Sequence, residues 1–174
     1  YYTLVTSFIL FIALFKFGKY DVKSNIFQKI LTIFLGYLLI PLVLSIPFYF
    51  SIYNLTFSNS FFEAISGFTS TGFTVFDNIK LIDQSLVIWR SSTQWLGGLY
   101  FLFSIIYLID IYDDSFKKTL TNYISFNSSE ILKQAAKIFI LYSSLTILIF
   151  IILNIFSIRT FDSLNLALTI ISSG

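Results

Sequence analysis

The residues between Lys137 and Arg159, IFILYSSLTILIFIILNIFSI, carry no charged side chain. A helix needs about 20 predominantly apolar residues to cross a bilayer, so this stretch restricts the chain to folds that use lipid as a solvent. Four such candidates occur: Tyr1–Phe15, roughly Ile30–Phe50, roughly Ser85–Ile109 and roughly Ile138–Phe156. Composition points the same way. Only 11% of the 174 residues are charged, 56% are hydrophobic and the mean hydropathy is +0.84, whereas soluble domains carry about 25% charged residues. The expectation is an all-α polytopic membrane protein.

What is missing narrows the chemistry. The chain has no Cys, so disulfides and thiolate metal sites are excluded. It has no His, the commonest general base and transition-metal ligand. A net charge of +2 without a basic, aromatic-interleaved patch gives nucleic-acid binding no support. No secretory signal is recognisable around Tyr1–Phe15. The chain opens on Tyr1 inside an apolar run, has no Met and ends on ISSG, and so reads as a piece of a longer polytopic protein.

Charge placement sets the expected topology. Lys16, Lys19, Lys23 and Lys29 cluster in segment 16–29, and Lys117, Lys118, Lys133 and Lys137 in segment 110–137. The region 51–84 has Lys80 against Glu63, Asp77 and Asp83. The positive-inside rule then puts both lysine-rich segments in the cytoplasm and regions 51–84 and 157–174 outside. The divisions are the end of a preceding span (1–17), a first unit (29–110), a cytoplasmic linker (111–137) and a second unit (138–174). Pro41 and Pro47 are expected to kink the second span, which membrane helices tolerate when neighbours re-satisfy the backbone.

The outer regions contain two runs too short to cross, Ser60–Phe68 and Asp162–Ile171, suited to re-entrant, interfacial or buried helices. Each leads to a Ser/Thr-Gly group, TSTGF at 69–73 and ISSG at 171–174. A lone group of this kind is an ordinary turn. Two of them, each preceded by a full span and an acidic-headed short helix, form an internal repeat. The reading pairs Glu63 with Asp162 and Gly72 with Gly174. Glu63 and Asp162 are expected at the positive helix ends as N-terminal caps; catalysis by them is disfavoured because no partner acid or base is evident.

A span, a short helix and a Ser/Thr-Gly strand can build an ion filter. Extended backbone at membrane depth is tolerated where it lines a cavity, and its carbonyls can replace a cation's hydration shell. Gly72 would supply a backbone angle closed to other residues. The negative end of each short helix would favour a cation.

These residues carry a resemblance. FFEAISGFTSTGFTVF (61–76), followed by VIWRSSTQWLGGLYFLF (87–103), resembles the Trk/Ktr/HKT superfamily of potassium transporters, on its bacterial TrkH branch. SSEILKQAAKIFILYSSLTILIFIIL and FDSLNLALTIISSG resemble the second repeat's first helix and pore loop. The resemblance implies M1–pore loop–M2 repeats with re-entrant pore helices, four to a pore, of which this chain would hold one and part of another. It further implies potassium uptake across the cytoplasmic membrane, with no cofactor and K+ as cargo. A first filter strand of Thr69, Ser70, Thr71, Gly72 and Phe73 would be joined by Ile171, Ser172, Ser173 and Gly174. A homodimer and a cytosolic nucleotide-binding regulatory subunit are implied partners besides the bilayer. The competing reading is a membrane-embedded structural or assembly subunit without an ion path.

Four other features read plainly. Arg90 is expected to snorkel to the headgroups, with a pore role as the alternative. Gly97-Gly98 permits close helix packing. Trp89 and the tyrosines are interfacial anchors. Asp110, Asp113 and Asp114 are solvated at an inner helix end or, with Lys117 and Lys118, contact a cytosolic subunit.

Overall fold

The computed structural model describes residues 25–51, 53–78, 81–108 and 131–173. The Tyr1–Phe15 span, Lys16, Lys19, Lys23, Lys80, the aspartates and lysines of 110–118, and Gly174 lie outside the described residues. Among the described residues all regular structure is helical.

Helix α1 (Ile26–Leu44) starts after Asn25, whose backbone N–H donates to Gln28 Oε1 at 3.0 Å. It stops at Leu44, and a four-residue helix α2 (Ile46–Tyr49) follows at once. The expected kink is therefore two events. Pro41 is accommodated and buried inside α1, whereas at Pro47 the missing N–H leaves the Val43 carbonyl without its helical donor and the chain restarts. Ser45 sits at the joint and donates its hydroxyl to the Leu42 carbonyl at 2.7 Å.

Helix α3 (Phe57–Phe68) is capped by Thr56, whose Oγ1 accepts from the Asn59 N–H at 3.3 Å. Helix α4 (Gln84–Leu108) and helix α5 (Ile131–Ile155) are the long elements, and α6 (Thr160–Ile171) closes the chain. Helix α5 begins earlier than the sequence reading placed it, so residues 131–137 of the expected linker form its first two turns.

Among the described residues two stretches are long and apolar enough to cross a membrane, Ile26–Tyr49, which runs through α1 and α2, and Lys133–Ile155. Their outer faces expose Phe27, Phe34, Ile140, Leu141 and Ile147, which suits lipid and no aqueous surface. The 25-residue α4 is long enough at about 1.5 Å per residue, but it is less apolar because Ser91, Thr93, Gln94 and Ser104 are buried along it. It is the inner helix, packed against α1, α3, α5 and α6. Leu44, Phe48, Ala64, Phe68 and Leu86 form the core between α1, α2, α3 and α4, with Tyr37 and Tyr100 against it. Trp89 belongs to that packing: its Nε1 donates to the Leu44 carbonyl at 3.0 Å. The indole holds the end of α1 on α4 and is not a free interfacial anchor.

The internal repeat appears with a different register. Helices α3 and α6 have 12 residues each. Asn54 (φ 47) precedes the first as Ser157 (φ 61) precedes the second, and Ser70 (φ 54) follows the first as Ser173 (φ 59) follows the second. All these pairs share one spacing along the chain, which also matches Ser60 with Ser163 and Ala64 with Ala167, all fully buried. Glu63 therefore corresponds to Leu166 and not to Asp162. Ser172 corresponds to Thr69 and Ser173 to Ser70, so Gly174 falls opposite Thr71 and not Gly72. The sequence reading aligned the glycines, but the backbone aligns the helix ends.

Candidate functional site

Each short helix ends on a serine in the left-handed conformation. After α3, the Ser70 N–H donates to the Gly67 carbonyl at 3.0 Å and the Thr71 N–H to the Ser66 carbonyl at 3.1 Å. That pair of bonds, with a left-handed residue between, is a Schellman termination. The left-handed position usually takes glycine, yet here it is Ser70. The Ser66 hydroxyl lies 3.1 Å from Thr71 Oγ1 and donates to the Phe73 carbonyl at 2.7 Å, tying the outgoing strand to the helix that precedes it. After α6, the Ser173 N–H donates to the Ile170 carbonyl at 3.2 Å with Ser173 in the same conformation. Gly72 has φ 79, and a Cβ there would meet nothing within 4 Å. Its requirement is for the backbone angle and not for space.

Both turns face one cavity of about 350 Å³, lined by Thr69 and Ser70 from the first, Ser172 and Ser173 from the second, and Gly97 and Gly98 between them. Tyr37, Phe68 and Phe101 close its apolar side. The diglycine is what lets α4 approach. A Cβ on Gly97 would run into the Phe68 carbonyl, and one on Gly98 would stand 3.1 Å from Ser172 Cβ. The packing role expected for this pair thus has a specific content: it brings α4 against the C-terminal turns of α3 and α6. Those two ends, each carrying partial negative charge, converge on the cavity.

Glu63 is not a cap. Thr56 occupies the N-cap, and Glu63 lies in the middle of α3 with its side chain fully buried. Its Oε1 accepts from the Val75 N–H at 2.6 Å and from the Thr74 hydroxyl. Its Oε2 pairs with Arg90 Nε at 3.2 Å. Arg90 does not snorkel either. Its side chain is 14% exposed, and Nη2 reaches the Gly72 carbonyl at 3.0 Å and the Phe73 carbonyl at 3.5 Å. A buried charge is retained where it is paired and its remaining hydrogen-bonding positions are filled, and here the pair fastens the limb that leaves the turn. Asp162 stands in the first turn of α6, as its charge suits, but the N-cap is Arg159 and Asp162 pairs with Arg159 Nε at 2.8 Å.

The bonds to Gly72 and Phe73 also sort the expected carbonyls. Those two are engaged by Arg90 and Ser66, and a cation beside the guanidinium would be repelled. Among the described residues nothing donates to the carbonyls of Thr69, Ser70 or Thr71. No cluster of His, Cys, Asp and Glu suited to a metal occurs among the described residues.

Apolar helices long enough to span, two short helices ending on a common cavity and an inner diglycine helix together define an α-helical membrane protein. The family model for TrkH, described as a cation transport protein, matches residues 14–168. The chain belongs to that family, which is one of transporters and not of enzymes. An uncharacterized cation transporter of Methanocaldococcus jannaschii is 29% identical over 150 residues, covering 80% of this chain and 30% of that protein. The Trk system potassium uptake protein TrkH of Escherichia coli K12 is 33% identical over 82 residues, covering 47% of this chain and 17% of that protein. TrkI of Halomonas elongata, of the same system, is 38% identical over 60 residues, covering 34% of this chain and 11% of that protein. The chain thus spans less than a third of the length of these relatives. No solved structure matches it.

Proposed function

We propose that this chain is part of a potassium-uptake protein and carries two of its filter strands. The observation that supports the reading best is the shared cavity: the turns after α3 and α6 open onto one space, with α4 drawn in by Gly97-Gly98. The short helices are re-entrant pore helices, each entering and leaving from the outer side. Carbonyls of Thr69, Ser70 and Thr71, and in the second strand Ser172, Ser173 and Gly174, take the place of a potassium ion's lost water. Gly72 and Phe73 act next to the ligands, through bonds that hold the strand. The relatives' names support potassium as the ion.

The lysine-rich ends face the cytoplasm of an inner-membrane protein. A closed pore needs further repeats, and a homodimer with a cytosolic nucleotide-binding regulatory subunit is the proposed assembly. The test is uptake by the full-length protein in a potassium-uptake-deficient strain at low external potassium. The intact protein restores growth, and Gly72→Ser lowers preference for potassium over sodium. Unchanged selectivity in that variant would remove the filter assignment.

A further inference from the structure

Near the middle of α4, Gln94 is buried with its side-chain amide unmatched. The residue is 2% exposed, and its Oε1 accepts no hydrogen bond. None of the described residues takes the hydrogens of its Nε2. Buried polar atoms in folded proteins nearly always have a partner, either from the protein or from an ordered water. The position on the helix says where that partner stands. Residues three and four apart share a helix surface, so Gln94 lies among Arg90, Ser91, Gly97 and Gly98. Arg90 and Gly97 face α3, through Glu63 and the Phe68 carbonyl. Ser91 and Gly98 face α6, through Asn165 and Ser172. Gln94 therefore occupies the seam where both short helices meet α4.

A second amide with unspent donors borders the seam. Ser91 donates its hydroxyl to Asn165 Oδ1, which leaves the Asn165 Nδ2 hydrogens unclaimed among the described residues. That side chain sits against Ser91, one helical turn from Gln94. The charges that α3 and α4 carry, Glu63 and Arg90, are paired with each other, and Asp162 of α6 is paired with Arg159. An occupant of the seam is thus neutral. It must give a hydrogen to Gln94 Oε1 and can accept one from Asn165 Nδ2. Water does both, and a buried water typically has about three such partners.

We infer that Gln94 holds one buried water between α3, α4 and α6, a water that donates to Gln94 Oε1 and accepts from Asn165 Nδ2. It fastens the second short helix to α4 one turn before Gly98 meets Ser172. The site depends on how the helices pack and not on which ion crosses. Its test reads hydration and not transport, so either proposal can fail alone.

The test is water-edited solid-state NMR of the full-length protein in lipid bilayers, with glutamine labelled at the side-chain nitrogen. Gln94→Leu identifies the signal by removing it. In the unaltered protein, polarisation passes from water to the Gln94 amide although the residue is buried. Asn165→Leu takes away the second partner and weakens that transfer about fivefold, the effect of one hydrogen bond of about 1 kcal/mol on an equilibrium. A density map of the unaltered protein shows a peak within about 3 Å of both amides, so the site can be read even where a variant fails to accumulate. No transfer to Gln94, an unchanged transfer in Asn165→Leu, or density joining the Gln94 amide directly to another residue would overturn the inference.

Discussion

Arg90→Gln is the perturbation that best separates a bracing role from surface anchoring. In the folded protein Arg90 joins three things: the buried Glu63 carboxylate, the Gly72 carbonyl and, more weakly, the Phe73 carbonyl. Removing one partner of a buried pair costs about 3–5 kcal/mol, because the other charge is left uncompensated. Glu63 keeps two donors, the Val75 N–H and the Thr74 hydroxyl, so the expected cost is at the lower end, about 3 kcal/mol. A surface ion pair would contribute about 0–1 kcal/mol. The assay is denaturant unfolding of the full-length protein in detergent beside potassium and sodium uptake in cells. Arg90→Gln lowers stability by the larger figure and lowers potassium preference, since the Gly72 and Phe73 carbonyls lose their guanidinium donor. Arg90→Lys restores the charge but not the forked donor geometry, and recovers only part of both. If Arg90→Gln changes stability by less than about 1 kcal/mol and leaves selectivity intact, the brace does not exist.

Further outcomes follow from the same geometry. Gly97→Ala places a methyl where the Phe68 carbonyl stands; overpacking of this kind costs about 1–3 kcal/mol, and uptake per inserted molecule falls sharply, measured by rubidium flux against membrane protein content. Ser70→Val forces a β-branched residue into a left-handed conformation and destabilises by more than about 1 kcal/mol. Ser70→Gly, compared in the same thermal unfolding series, stays within about 1 kcal/mol of the unaltered protein, because relief of that strain is offset by a more flexible unfolded chain.

Two of the expected spans, those of roughly Ile30–Phe50 and Ile138–Phe156, and the small-residue turns are legible because they rest on local chemistry. Charge-free runs and Ser/Thr-Gly groups carry their meaning in composition, and Gly72 does take the positive φ that its position implied. What could not be read was which residues meet. Glu63 looked like a cap because acidic residues near short helices usually are, yet its partner Arg90 lies 27 residues further along. Only packing of α3 on α4 brings them together. The register between repeats is hidden for a related reason: glycine draws the alignment, while the conformation that repeats is carried by Ser70 and Ser173. A signal was available in the matched pairs Ser60 with Ser163 and Ala64 with Ala167, which are fully buried because small residues there let the short helices sit close to their neighbours.

The most direct test is to see the ion. Thallium, which scatters strongly and mimics potassium, can be located in a structure of the full-length protein. The account predicts density on the pore axis within coordination distance of the main-chain oxygens of Thr69, Ser70 and Thr71, with Ser172 and Ser173 across the same space. Density at the Asp162 carboxylate instead, or those oxygens turned away from any common axis, would contradict it.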